Sequence, residues 1–301
     1  MMPMKQKIFV LYTGGTIGMT QSSAGLRPDT ALVNKALAPF SDGLDFKWHV
    51  CQPLIDSSAV TLQNQLDWLD LIIANLPDYD GILVLHGTDT MAYTANLFAL
   101  SLQGLDKPVI LTGSQWPYDA ANSDAPRNLA TAVSAFSLKL KQVAIAFDGK
   151  LFPAVGSSKV STETAAGFDN LHFGALAEWE ENKGWHNIRT APTDHSDGLP
   201  HLSAQALILQ SYGHGNAPSN DAFIRAVQAF TQQGKLLLNI SQVPQGCAAA
   251  VYAQGDALRQ AGIINGGKCN LETATALMTL AVSHDWNANK VQQELRQLNL
   301  L

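Results

Sequence analysis

Residues 8–20 read "IFVLYTGGTIGMT". The first five are apolar without a break, and the rest hold three threonines and three glycines. An uninterrupted apolar run closed by glycine fits a strand covered on both faces, as in a parallel sheet lying between helices. The loop that leaves it is less ordinary. A phosphate-binding loop works through its backbone N–H groups and has no need of several hydroxyl side chains. A second loop of the same character, "HGTDT" at 86–90, implies that the two act together.

Outward from this strand the pattern repeats. Further strand candidates are Trp48–Pro53, Gly81–Leu85, Pro108–Leu111 and Val143–Phe147. Helical periodicity covers Leu62–Leu76, where Leu66, Leu69, Ile73 and Leu76 recur at three- and four-residue spacing, and also Met91–Leu102 and Asn128–Leu140. Strands alternating with helices predict βαβ crossovers. After Phe173 the texture changes: Trp179, Trp185, acidic residues at 178, 180 and 181, and "APTDHSDGLPH" show no period. Alternation resumes with strands at Ala206–Gln210 and Leu236–Ile240. The helix candidates there are Asp221–Gln233, Ala253–Ala261, Glu272–Val282 and Asn287–Leu298. The expected fold class is α/β, with a larger N-terminal domain (residues 1–185) whose mostly parallel sheet lies between helices. A linker (186–203) and a smaller C-terminal α/β domain (204–301) follow.

Composition narrows the function. A chain of 301 residues with 15% charged and 46% hydrophobic residues suits a well-buried globular enzyme of two domains. The net charge of −6 and scattered Lys and Arg argue against a nucleic-acid surface or membrane docking. No apolar run approaches the ~20 residues of a membrane helix. Lys5 and Lys7 precede only a short apolar run, too brief for a signal-peptide core, so a cytoplasmic protein is expected. Cys51, Cys247 and Cys269 cannot all pair and form no C-x-x-C, which predicts reduced thiols.

In an open parallel sheet, ligands bind beyond the carboxyl ends of the strands. That rule selects "TGGTIG", "DSS" (56–58), "HGTDT", "TGSQWP" (112–117) and "SYGHGNAP" (211–218). Their residue types supply hydroxyl nucleophiles, close backbone approach and N–H donors for a developing oxyanion. Each also has a plain structural use. Gly14 and Gly15 suit a tight turn with Thr16 capping a helix, and Asp89 suits an N-cap. His86 suits a hydrogen-bonded histidine beneath its loop. Lys159, in "GSSKVSTETAAGFDN", could be solvated; held among hydroxyls and partly desolvated, a lysine can take a proton. "TGGTIG" is not G-x-G-x-x-G. "GIINGGKC" (262–269) approaches a phosphate loop, but Cys269 replaces the magnesium-holding Ser/Thr and a helical pattern precedes it. With no H-E-x-x-H and no G-x-S-x-G, neither a metal, another cofactor nor a hydrolase serine elbow is expected.

Taken as a set, "YTGGTIGM", "PLIDSS", "LHGTDTMAYTA", "LTGSQWP", "NSDAPRNL", "SYGHGNAP" and "AGIINGGKCNLETATALM" resemble the bacterial L-asparaginases in colinear order. The "YGxGNAP" and "TGSQxP" forms are similar to the cytoplasmic, type I branch. The resemblance implies hydrolysis of L-asparagine to L-aspartate and ammonia. It assigns Thr16 as nucleophile and Thr88, Asp89 and Lys159 as a second cluster assisting proton transfer or water attack, leaving open which threonine forms the acyl-enzyme. It implies that Ser57, with Ser58, holds the α-carboxylate and that Asp89 also receives the α-ammonium. Ser114 is a further substrate contact, and Glu272 supplies a carboxylate from a neighbouring subunit. The implied assembly is a homodimer or homotetramer, with no nucleic-acid or membrane partner. One departure stands out: Leu26, in "TQSSAGLRPDT", occupies the place where many relatives carry a tyrosine near the nucleophile. The expected consequence is a differently activated Thr16 or weaker catalysis.

Two other activities fit the same residues. A glutaminase differs by one methylene in the substrate, worth only ~1–3 kcal/mol of discrimination. An asparagine- or aspartate-binding sensor on a degenerate amidase scaffold would account for Leu26. A subunit resembling the archaeal tRNA amidotransferase is expected to carry an additional N-terminal domain ahead of "TGGTIG".

Overall fold

The computed structural model describes residues 5–22, 25–28, 30–188, 206–211, 221–244, 247–248 and 258–301. Most of the expected linker, most of "SYGHGNAP" and most of the Ala253–Ala261 helix candidate lie outside them. The chain divides into two compact units, Met1–Asn170 with Gly174–Ala191, and Leu171–Phe173 with Pro192–Leu301.

In the first unit the strands are β1 (Gln6–Tyr12), β2 (Met19–Ser22), β3 (Gly25–Pro28), β4 (Leu44–Val50), β5 (Gly81–Leu85) and β6 (Val109–Thr112). They continue with β7 (Val143–Phe147), β8 (Lys150–Pro153), β9 (Ser158–Lys159), β10 (Phe168–Asp169), β11 (Ala177–Glu180) and β12 (Gly184–His186). Its helices are α1 (Thr30–Leu37), α2 (Leu62–Asn75), α3 (Met91–Ser101) and α4 (Ala125–Ser134). Eight strands form one sheet in the order β12-β11-β8-β7-β6-β5-β1-β4. The run from β4 to β7 is parallel, and β8, β11 and β12 add antiparallel.

The period-2 geometry of β1 explains its unbroken apolar sequence. Ile8, Val10 and Tyr12 enter one core with Leu83, Leu85 and Ile110, while Phe9 and Leu11 enter the other with Ile82, Val84 and Leu111. Both faces are thus buried, and every residue of β5, β6 and β7 is buried. The Trp48–Pro53 candidate is corrected to Leu44–Val50, an edge strand whose residues alternate between half-buried and exposed over most of its length. The Asn128–Leu140 helix candidate begins earlier, with Pro126 in its first turn where the missing N–H costs nothing, and ends in a 3-10 turn.

The second unit carries the strands β13 (Ala206–Ser211), β14 (Leu236–Ser241) and β15 (Ile264–Asn265) in one parallel sheet. Its helices are α5 (Asp221–Thr231), α6 (Leu271–Ser283) and α7 (Ala288–Gln297). Val227, Leu237, Leu258, Ala261 and Ile263 form its core. A short strand, β15, therefore lies inside the "GIINGGKC" stretch. Among the described residues no helix is long and apolar enough to cross a membrane.

Candidate active site

Four loops meet where the parallel strands β1, β5 and β6 end. Backbone bonds hold the first in place: Thr13 N–H donates to the Leu85 carbonyl at 3.0 Å and Ile55 N–H to the Thr13 carbonyl at 2.9 Å. Glycine permits the crossing. A Cβ on Gly15, whose φ is +96°, would sit 2.6 Å from Gly87 Cα, and a Cβ on Gly87 would sit 2.5 Å from Ser57 Oγ. Larger residues at these two positions would push "TGGTIG", "HGTDT" and "DSS" apart.

The result is a cavity of about 230 Å³ lined by Thr16, Ser57, Thr88, Asp89, Gln115 and Lys159 among others. It falls below the ~300–1,000 Å³ usual for drug-sized ligands, which suits a small polar molecule. Thr16 opens a 3-10 turn whose N-cap is Gly15, and among the described residues its hydroxyl has no hydrogen-bond partner. It therefore does not cap a helix.

Thr88, Asp89 and Lys159 form one cluster. Lys159 Nζ donates to Thr88 Oγ1 at 2.8 Å and to Asp89 Oδ1 at 2.7 Å. Lys159 reaches it from β9, which pairs with β10 so that Lys159 lies opposite the buried Phe168. Phe168 packs on Phe147 with ring centroids 4.8 Å apart, tying the lysine's hairpin to the main core. Helix α3 takes Thr90 as its N-cap without a side-chain bond, so the Asp89 carboxylate serves the lysine and not the helix end. The Asp89 side chain is 59% exposed against 18% for Lys159, which leaves the carboxylate open to a ligand.

Ser57 is buried and knits two loops together. Its Oγ accepts from the Asp89 N–H at 3.2 Å and its carbonyl accepts from Thr90 Oγ1 at 2.7 Å. Among the described residues the Ser57 hydroxyl donates to no acceptor. Ser58 is exposed, and its hydroxyl and N–H both donate to Asp56 Oδ1, at 2.7 and 2.8 Å. These bonds, the hydroxyl's first, hold the Asp56 carboxyl below its usual range. Ser114 is buried away from the cavity wall and donates to the Trp116 carbonyl at 2.5 Å, within its own turn. Its neighbour Gln115 lines the cavity instead and donates through Nε2 to the Thr164 carbonyl. Glu272 lies in the first turn of α6, in the second unit.

One feature lay beyond sequence reasoning, and one was expected from it: His86 is the hydrogen-bonded histidine beneath its loop. The Thr88 backbone N–H has no acceptor among the described residues, and Thr88 is only 8% exposed. Beneath it, His86 is fully buried, and burial pushes its pKa down to about 4. Among the described residues no group of three His, Cys, Asp or Glu could hold a metal ion. Cys51, Cys247 and Cys269 are free, and burial raises the thiol pKa of Cys51 and Cys269.

The Thr16 and Thr88 hydroxyls on one small cavity, a lysine bridging the second to a carboxylate, and an N–H donor unused among the described residues are the equipment of nucleophilic attack on a carbonyl carbon. Comparison with known proteins gives the family. The "Asparaginase, N-terminal" pattern matches residues 7–192, and "Glutaminase/Asparaginase C-terminal domain" matches residues 189–295. L-asparaginase 1 of Escherichia coli K12 is 32% identical over 97% of this chain and 96% of its own. The structure of L-asparaginase I from Vibrio cholerae superposes with a TM-score of 0.81 at 28% identity, covering 97% of each chain. A probable cytoplasmic L-asparaginase from Campylobacter jejuni does so with a TM-score of 0.81 at 25% identity, covering 97% of this chain and 99% of its own. The chain belongs to the asparaginase family.

Proposed function

We propose that this protein hydrolyses L-asparagine to L-aspartate and ammonia. The observation that carries the proposal is the Lys159 Nζ placed between Thr88 Oγ1 and Asp89 Oδ1, on the same cavity as the Thr16 hydroxyl, which has no partner among the described residues. The Thr16 Oγ attacks the side-chain amide carbon. The Thr88 N–H receives the carbonyl oxygen as it gains negative charge. The hydroxyl proton passes to the departing nitrogen, which leaves as ammonia, and the Thr88–Lys159–Asp89 cluster conducts it. Water then adds to the Thr16 ester, releasing aspartate and restoring the hydroxyl.

The zwitterionic ends need partners, because burying either charge alone is costly. The Ser57 hydroxyl takes the α-carboxylate, with Ser58 beside it in sequence, and the exposed carboxylate of Asp89 takes the α-ammonium. Glu272 joins the ammonium site from a second copy in a homodimer or homotetramer. By likeness to the Campylobacter jejuni relative, the cytoplasm is its place of work.

The test is ammonia release by the purified protein over a broad range of asparagine, with glutamine alongside. Saturable release from asparagine with at least tenfold lower kcat/KM for glutamine is expected. Equal rates on both would make it a glutaminase-asparaginase, and stable binding of asparagine without ammonia would make it a sensor.

A further inference from the structure

Beneath Thr88 lies a buried hydrogen-bonded chain that the proposed chemistry does not use directly. His86 Nδ1 is 2.7 Å from the carbonyl oxygen of Gly87. A carbonyl only accepts, so Nδ1 carries the proton. His86 Nε2 is 3.0 Å from Thr94 Oγ1, and as the bare nitrogen it accepts the Thr94 hydroxyl proton. Thr94 Oγ1 in turn accepts from Gln65 Nε2 at 2.9 Å. Every donor and acceptor from Gln65 on α2, through Thr94 on α3, to the end of β5 then has a single assignment.

The ring is also packed from the side. Trp68, 3% exposed, meets it edge-on at 5.3 Å between centroids and an interplanar angle of 87°. His86 N–H donates to the Thr112 carbonyl at 2.9 Å, fixing the backbone at its other side.

The consequence falls on the next peptide. In a trans peptide the carbonyl and the following N–H point to opposite sides. A Gly87 carbonyl held inward by His86 therefore sends the Thr88 N–H outward, on a residue that lines the cavity. We infer that Gln65, Thr94 and His86 form a positioning relay that fixes the Gly87–Thr88 peptide and so aims the Thr88 N–H, and with it the Thr88 hydroxyl, at the scissile amide. This rests on the amide-hydrolysis proposal above. His86 touches no substrate; it acts through the peptide it holds.

The experiment compares Thr94→Val with Thr94→Ser and His86→Gln with His86→Asn, using asparagine kinetics per folded molecule and the ring 15N shifts of His86. Serine keeps the hydroxyl, and asparagine places its amide where Nδ1 stands. Losing an oxyanion donor outright costs ~10²–10³ in turnover, so loosening one lowers kcat by about tenfold or more. The expected result is that Thr94→Val and His86→Gln lower kcat by that factor with KM within about threefold, while Thr94→Ser and His86→Asn recover most of it. The wild-type ring should show a protonated Nδ1 and a bare Nε2. A kcat unchanged in Thr94→Val, equal losses in both members of each pair with parallel losses of melting temperature, or an Nε2-protonated ring would each overturn the relay. Absence of turnover in the wild type would instead sink the hydrolysis proposal, and the tautomer alone would then decide whether the relay exists.

Discussion

Lys159 and Thr88 are 71 residues apart in sequence, and the lysine Nζ donates to the threonine Oγ1 at 2.8 Å. The same nitrogen holds Asp89 at 2.7 Å, so one side chain couples the Thr88 hydroxyl to a carboxylate. Replacing Lys159 by Met keeps the stem and removes the proton carrier. Ammonia release should fall by ~10²–10⁴, the usual contribution of a positioned acid–base group, while the circular dichroism spectrum stays unchanged. Near-normal turnover in this variant would take Lys159 out of the mechanism.

Ser57 should act on binding more than on rate. A hydrogen bond to a charged group contributes ~1.5–3 kcal/mol, so Ser57→Ala should raise KM for asparagine by roughly 10–100-fold. Its loss also frees the Asp89 N–H, and a modest fall in kcat is expected with it. Steady-state kinetics separate the two, and an unmoved KM would deny Ser57 its place on the carboxylate.

Gly87→Ala tests the packing of the loops. The new Cβ would lie 2.5 Å from Ser57 Oγ and 2.6 Å from Ser57 Cβ. Overpacking of this kind costs ~1–3 kcal/mol, which urea titration will register, and the displaced Ser57 should weaken asparagine binding as well. Wild-type stability and affinity together would mean that the loops tolerate separation.

His86 gives a pH dependence with a definite sign. Its folded pKa of about 4 lies below the ordinary 6.5, because burial disfavours the charged ring. The neutral ring's contribution to stability is full above about pH 6.5 and is lost as pH falls toward 4, at ~1.4 kcal/mol per unit. Below that the loss levels off. Subtracting the unfolding free energies of His86→Gln from those of the wild type across pH 4–8 should isolate this slope. A flat difference would mean that the ring protonates in the folded state as readily as in the unfolded one.

Glu272→Ala should raise KM about tenfold where the protein is self-associated, as expected for one lost charge-assisted bond. Sedimentation on the same samples identifies the assembly. The same KM in wild type and variant would leave Glu272 a helix-terminal acid and no more.

Much of the fold was written in local pattern. Gly81–Leu85 and Val143–Phe147 are strands with the bounds their apolar runs predict, because a strand buried on both faces announces itself by an unbroken run. Edge strands do not, and β4 was displaced for that reason. The antiparallel additions β8, β11 and β12 were missed because four residues or fewer carry no period.

The candidate site divides the same way. Its residue types and their loops, Thr16, Ser57, Thr88, Asp89 and Lys159, were legible because hydroxyls, acids and a lysine after strand ends are rarely there for packing. Where each side chain turns was not. Ser114 spends its hydroxyl on its own turn while Gln115 reaches the cavity, a difference of one position set by how that loop folds back.

The sequence by itself determined the α/β alternation, the family and the chemical inventory, because these follow from periodicity and from motifs that short stretches carry whole. Only the tertiary structure decided that Lys159 bridges Thr88 and Asp89, that Asp89 leaves its helix uncapped, and that a buried histidine holds the Gly87 carbonyl inward. Those relationships join residues far apart in the chain, and they exist only once strand order and close glycine contacts have brought the loop ends within hydrogen-bond reach.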